Sequence, residues 1–131
     1  MLINPAMSDI LLANRFLEGR IRRTPLEKSL QLGEIIGGEV FLKWENQQIA
    51  GSFKIRGALN KMFSLDERKR EKGVVTASSG NHAQGIAIAA SMLGVKAVVC
   101  VPASCPVTKQ KAIRRLGGEW VRLYVHGPFY D

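Results

Sequence analysis

Cysteine is scarce, with Cys100 and Cys105 alone in 131 residues. Two cysteines exclude a disulfide scaffold, and neither stands at metal-ligand spacing from the two histidines, His82 and His126. Both read as ordinary reduced thiols, and no metal site is expected. Long apolar runs are also missing, since none approaches the ~20 residues of a membrane span. The opening MLINPAMSDI has neither the basic nor the apolar region of a secretory signal. A soluble, cytoplasmic protein without a membrane partner is therefore expected. Acidic residues are few: 11 against 19 Lys and Arg, a net charge of +8. Such an excess raises nucleic acid as a partner. Aromatics, at 7%, are too sparse to supply stacking platforms along a basic groove. The basic residues are also dispersed, around Arg20 to Arg23, Arg68 to Lys72 and Lys109 to Arg115. The middle group alternates with Asp66, Glu67 and Glu71, the pattern of a solvated helix face. No nucleic-acid partner is expected.

What is present is a hydrophobic share of 46% against 23% charge, the balance of one globular domain. A chain of this size buries about two thirds of its unfolded surface. Ser8 and Asp9 form a candidate helix cap, with Ile10, Leu11, Phe16 and Leu17 following before Gly19. Thr24, which precedes Pro25, is extended. Leu30 to Ile36 is a short structured piece closed by Gly37 and Gly38, and residues 39–45 form a strand.

Beyond that point the pattern alternates. A helix is predicted from Phe53 to Leu65, with Leu59, Met62 and Phe63 on one side, followed by a charged helix or turn from Asp66 to Lys72. Val74 to Ala77 is a short buried strand. Asn81 to Leu93 is a helix of small and apolar residues with Gly94 at its C-cap position. Lys96 to Val101 is a strand, Thr108 to Leu116 a helix and Glu119 to Val125 a last strand. Apolar strands alternating with helices predict an α/β fold, a parallel sheet covered on both faces in a three-layer α/β/α arrangement. In such sheets ligands bind where strands turn into helices.

Two such turns hold the chemistry-bearing residues. Ser78, Ser79, Gly80, Asn81 and His82 open a helix after a strand, offering free N–H groups, two hydroxyls, a carboxamide and an imidazole. The competing reading is that a serine simply caps the helix. Lys54 begins a helix directly after Gly51 and Ser52, where the helix dipole disfavours its charge. An amine in such a place can be a Schiff-base nucleophile; the alternative is a surface lysine, and Arg56 has the same alternative.

Together the two turns match a pattern. KWENQQIAGSFKIRGA (43–58) resembles the pyridoxal-phosphate lysine segment of threonine and serine dehydratases and serine racemase, in the fold type II, tryptophan synthase β-like family. SSGNHAQ (78–84) is similar to that family's second signature. The resemblance also takes in Thr24 to Leu26, Val101 with Pro102, and Lys109 to Gly117. It implies pyridoxal 5'-phosphate as cofactor, carried on Lys54, which also removes the substrate Cα proton. Phe53 packs on the cofactor ring and Asn81 bonds its 3-hydroxyl oxygen. Ser78, Ser79, Asn81 and His82 cradle the substrate carboxylate, with Ser79 on the ring face opposite Lys54 as a second catalytic residue. The implied reaction is β-elimination (deamination) of L-threonine or L-serine to a 2-oxo acid and ammonia. A serine racemase and a non-catalytic domain that binds a partner are the alternatives.

Two departures stand out. Ala50 occupies a position where the family commonly has threonine. Family members are also more than twice as long, with a large domain and a glycine-rich phosphate loop; here 13 glycines form only the pairs 37–38 and 117–118. The expected organisation is an N-terminal helical and extended segment (1–38) and a small α/β domain bearing the lysine (39–131). The chain reads as the N-terminal portion of an enzyme that is a homo-oligomer at full length.

Overall fold

The structure is a computed structural model that describes residues 4–127. Its first helix, α1, spans Met7–Leu17. It begins one residue before the predicted cap Ser8, because the Asp9 carboxylate reaches back to accept the Ala6 N–H at 2.9 Å. Strand β1 (Leu26–Lys28), helix α2 (Leu30–Ile36) and strand β2 (Phe41–Lys43) follow. Ser29 caps α2, and Gly37 closes it in the left-handed region at φ 68°. The strand predicted over 39–45 keeps only three residues. They pair antiparallel with β1 in a separate two-stranded ribbon, and Glu45 to Gln47 wind into a 3-10 turn.

The chain then forms α3 (Lys54–Phe63), α4 (Glu67–Lys72), β3 (Val74–Ala77), α5 (Asn81–Leu93), β4 (Ala97–Pro102), α6 (Val107–Gly117) and β5 (Val121–His126). The last three strands form a parallel sheet in the order β3-β4-β5. Both crossovers step the same way along the sheet, so right-handed connections place α5 and α6 on one face. Alternate residues of β4 serve that face: Ala97, Val99 and Val101 are buried, whereas Val98 and Cys100 are half-exposed. On the other face Val75 and Tyr124 remain 75% and 58% exposed. The parallel α/β arrangement is the predicted one, but the described residues supply a helix layer on one face of the sheet only.

Helix α5 is the centre of the core. Ala83, Ala87, Ala89 and Ala90 are all fully buried, and the helix packs against α3, α6 and the sheet. Helix α1 is held to α3 by Phe16 stacked on Phe63, ring centroids 3.4 Å apart and planes 22° from parallel. The N-terminal segment is further fastened to the loop before α3 by polar contacts. Gln48, buried, accepts the Arg22 N–H at 2.9 Å and donates to the Arg22 carbonyl at 2.7 Å, copying a strand neighbour. Arg56 makes two hydrogen bonds to the Glu45 carboxylate, at 2.8 and 2.7 Å, and the buried Thr24 hydroxyl donates to the same group. Arg56 is therefore more than a helix-surface charge.

The Arg56 guanidinium holds the Glu45 carboxyl below the ordinary glutamate value of 4.5, against the opposing push of burial. A depressed folded-state pKa contributes stability that is complete above the unfolded value and is lost as pH falls through the folded one. Glu45→Gln is thus expected to cost about 2 kcal/mol near neutral pH, between the values of exposed and buried pairs. The gap between parent and variant should close below about pH 4.5, as read by denaturant midpoints across pH. A second expectation concerns Gly117, where an added Cβ falls 2.2 Å from Val121 Cγ2 and 2.4 Å from its Cβ. The Val121 Cβ is fixed by its backbone, so rotating the Cγ2 methyl away does not relieve the contact, and Gly117→Ala should destabilise the fold by about 1–3 kcal/mol in the same assay.

Candidate active site

Lys54 is the first residue of α3, and α3 starts there for a local reason. Gly51, at φ 65°, turns the chain where a side chain would be strained, and the buried Ser52 hydroxyl accepts the Lys54 N–H at 3.4 Å. Apolar residues Ile55, Ala58, Leu59 and Met62 then drive one face of α3 into the core. The Lys54 side chain is left on the outside, exposed, its Nζ 5.0 Å from the centroid of the exposed Phe53 ring. Among the described residues no carboxylate pairs with it; the ion pairs are Lys28 with Glu39, Arg56 with Glu45, and Lys69 with Asp66. Ala50, the departure from the family pattern, is buried in the core, where a methyl leaves no polar group to satisfy.

The second turn is built by β3 and α5. The Ser78 N–H is bonded to the Cys100 carbonyl at 3.0 Å, which carries the end of β3 alongside β4. The Ser78 hydroxyl accepts the Gly80 N–H at 3.3 Å, and Gly80 occupies the N-cap position of α5. No side chain caps the helix, which sets aside the serine-cap reading. The first N–H groups of α5, those of Asn81, His82 and Ala83, have no intrahelical partner and point out of the helix end. Ser78 and Ser79 are half-buried and Asn81 is exposed.

The two turns meet through α5. An added Cβ on Gly85 falls 3.2 Å from both the carbonyl carbon and the oxygen of Lys54 and 3.3 Å from the Ile55 nitrogen. The helices therefore touch backbone to backbone at the first turn of α3. Asn81 lies one helical turn before Gly85 on the same face of α5, which directs it toward the Lys54 end of α3. His82 is rotated away from that face. It lines a mainly apolar cavity of about 290 Å³, together with Gly57, Lys61, Val75, Thr76 and Ile86. The structure thus sets the start of α3, with Lys54 as its first residue, against α5 four residues past Asn81.

The small residues Ala83, Gly85, Ala87 and Ala90 point in the sequence to close packing of this helix against another element, but not to Lys54 as what Gly85 meets, and the Glu45–Arg56 pair was passed over. Gly85 follows Asn81 by four residues, the spacing that marks a shared helix face. Glu45 and Arg56, eleven apart across a loop, carry no periodic signal.

The donor set fits pyridoxal phosphate: an uncommitted primary amine, an aromatic ring beside it, and a helix end with uncapped N–H groups beside two hydroxyls and a carboxamide. Among the described residues no cluster of side chains could hold a metal ion, and no helix is long and apolar enough to cross a membrane.

Comparison with known proteins agrees. The L-threonine ammonia-lyase of Thermotoga maritima is 48% identical over 125 residues, which cover 95% of this chain and 30% of that protein. The crystal structure of serine racemase from Dictyostelium discoideum superposes with a TM-score of 0.80 at 42% identity, covering 92% of this chain and 38% of that one. The processed threonine deaminase isoform 2 of Solanum lycopersicum gives 0.76 at 38% identity, covering 92% and 34%. The chain spans about a third of the length of the curated relatives it matches. Residues 17–131 match the family described as pyridoxal-phosphate dependent enzyme. The sequence match and the shared fold lead to one conclusion: the chain belongs to that family.

Proposed function

We propose that the chain is the lysine-bearing part of a cytoplasmic, homo-oligomeric ammonia-lyase acting on L-threonine or L-serine. The observation that carries this reading is the placement of Lys54 at the start of α3, without an ion pair among the described residues, where its backbone meets α5 at Gly85. The 48% identity to an L-threonine ammonia-lyase supports the choice of reaction.

Pyridoxal phosphate, when bound, supplies the electron sink that makes loss of the substrate Cα proton feasible. Lys54 Nζ is the amine that carries the cofactor and, once substrate has displaced it, the base that takes that proton. The Phe53 ring provides an apolar face next to the amine, and the Asn81 carboxamide provides a hydrogen-bond donor one turn above Gly85. The substrate carboxylate is held by the hydroxyls of Ser78 and Ser79, by Asn81, and by the His82 N–H at the positive end of α5. His82 is assigned its role through this backbone N–H, and the residue also lines the cavity between α3 and β3. Loss of the β-hydroxyl as water leaves an enamine, and uptake of one water then releases the 2-oxo acid and ammonia.

A racemase is the second reading, favoured by the structural likeness to serine racemase. It requires Ser79 to deliver a proton from the side opposite Lys54.

Incubation with pyridoxal phosphate and borohydride should place a stable phosphopyridoxyl group on Lys54, located by peptide mass, and Lys54→Ala should abolish that label. Label spread evenly over the lysines would sink the assignment and leave a non-catalytic binding domain. Supplying the remaining two thirds of the Thermotoga enzyme should restore release of ammonia and a 2-oxo acid from L-threonine. D-serine formed from L-serine without ammonia would favour the racemase.

A further inference from the structure

We infer that Gly85 is a positioning residue for Lys54: the missing side chain at this point of α5 sets where the first turn of α3, and with it the lysine amine, stands. The inference rests on the proposed role of Lys54 and extends it to a residue that never touches the reacting groups.

Of the glycines, Gly85 alone meets Lys54. A Cβ built there lies 3.2 Å from the Lys54 carbonyl carbon and oxygen and 3.3 Å from the Ile55 nitrogen. All three atoms belong to one peptide unit, and a planar peptide cannot bend out of the way as a side-chain tip can. That peptide is also pinned from the other side. Ile55 is fully buried in the core, and one residue on, Arg56 is tied to Glu45. An alanine at position 85 therefore shifts the Lys54–Ile55 peptide by a few tenths of an ångström along α3, or tilts α5 and its Asn81 end by as much. Either movement changes the separation between the Lys54 amine and the Ser79–Asn81 turn. Other glycines work differently. Gly73 and Gly117 are crowded by Lys96 and Val121, away from both turns, and Gly57 and Gly80 have open space where a Cβ would be. The neighbouring small residues Ala83, Ala87 and Ala90 accept a methyl in the same interface. Among these four residues of α5 the demand for no side chain is thus confined to the one facing Lys54.

The consequence differs from that of an ordinary packing defect. Alanine is a better helix former than glycine, so Gly85→Ala strengthens α5 locally while crowding α3. Thermal stability should move little while the lysine is displaced. Reactions of a positioned amine are sensitive to sub-ångström misplacement, and about a tenfold loss in rate is expected.

The test uses the 131-residue chain and pyridoxal phosphate itself as probe. The rate of borohydride trapping on Lys54 is measured across pH for the parent, for Gly85→Ala, and for Ile113→Val. The last removes a methylene from the fully buried Ile113 of α6, away from α3. The amide resonance of Ile55 is followed without any cofactor. Expected for Gly85→Ala are a displaced Ile55 amide, an unchanged melting temperature, and trapping on Lys54 about tenfold slower with a shifted pH midpoint, whereas Ile113→Val lowers the melting temperature and traps like the parent. Trapping by Gly85→Ala at the parental rate and pH midpoint would overturn the inference. So would a chain that fails to fold, since the alanine would then disrupt the whole α3–α5 interface and not one peptide. Absence of Lys54 trapping in the parent would instead overturn the proposed function. In that event the Ile55 amide decides the positioning role, and an unmoved resonance refutes it.

Discussion

The contact on which the rest of the structure turns is the meeting of α3 and α5 backbone to backbone. Only small residues allow two helices to approach so closely, and α5 supplies them as Ala83, Gly85, Ala87 and Ala90. Burying that face draws in Ile55, Leu59 and Met62 of α3 from one side and Ile113 of α6 from the other. The same contact sets the Lys54–Ile55 peptide, at the start of α3, against Gly85, four residues into α5.

A second set of interactions ties the N-terminal segment to that surface by polar groups. Thr24, Glu45 and Arg56 come from three separate stretches and meet in one half-buried cluster, and Gln48 completes the backbone pairing of Arg22. A partly buried ion pair contributes modestly to stability, yet it is directional, and direction is what the loop before Lys54 requires. The net charge of +8 takes on a different meaning here. Arg56 is spent on Glu45, Lys43 donates to the Thr24 carbonyl at 2.6 Å, and Arg70 holds the carbonyls of Phe63 and Leu65. Part of the positive charge is thereby committed within the fold.

The elements after residue 53 were legible because each carries a local signal. Gly73 and Gly94 mark ends, the run Val74 to Ala77 is bounded by a charged helix and a polar turn, and α5 begins and ends where its glycines predict. The stretch before residue 50 was less legible. The strand predicted over 39–45 is cut to three residues, since Glu45 turns toward Arg56, a partner no local pattern announces. His82 also lines the cavity beside β3, a placement that no local pattern announces.

By itself the sequence determined the alternation of strands and helices, the identity of the two polar turns, and membership of a family through residues whose order is the signal. Hydrophobic period and glycine placement are local properties, and a linear reading captures them. Tertiary structure alone decided which of those residues share a face and which helix face of the sheet is covered. It also decided that the serines do not cap α5 and that a glycine four residues past the motif abuts the lysine backbone. Those outcomes depend on the distance between atoms far apart in the chain, and burial of the α5 face sets that distance.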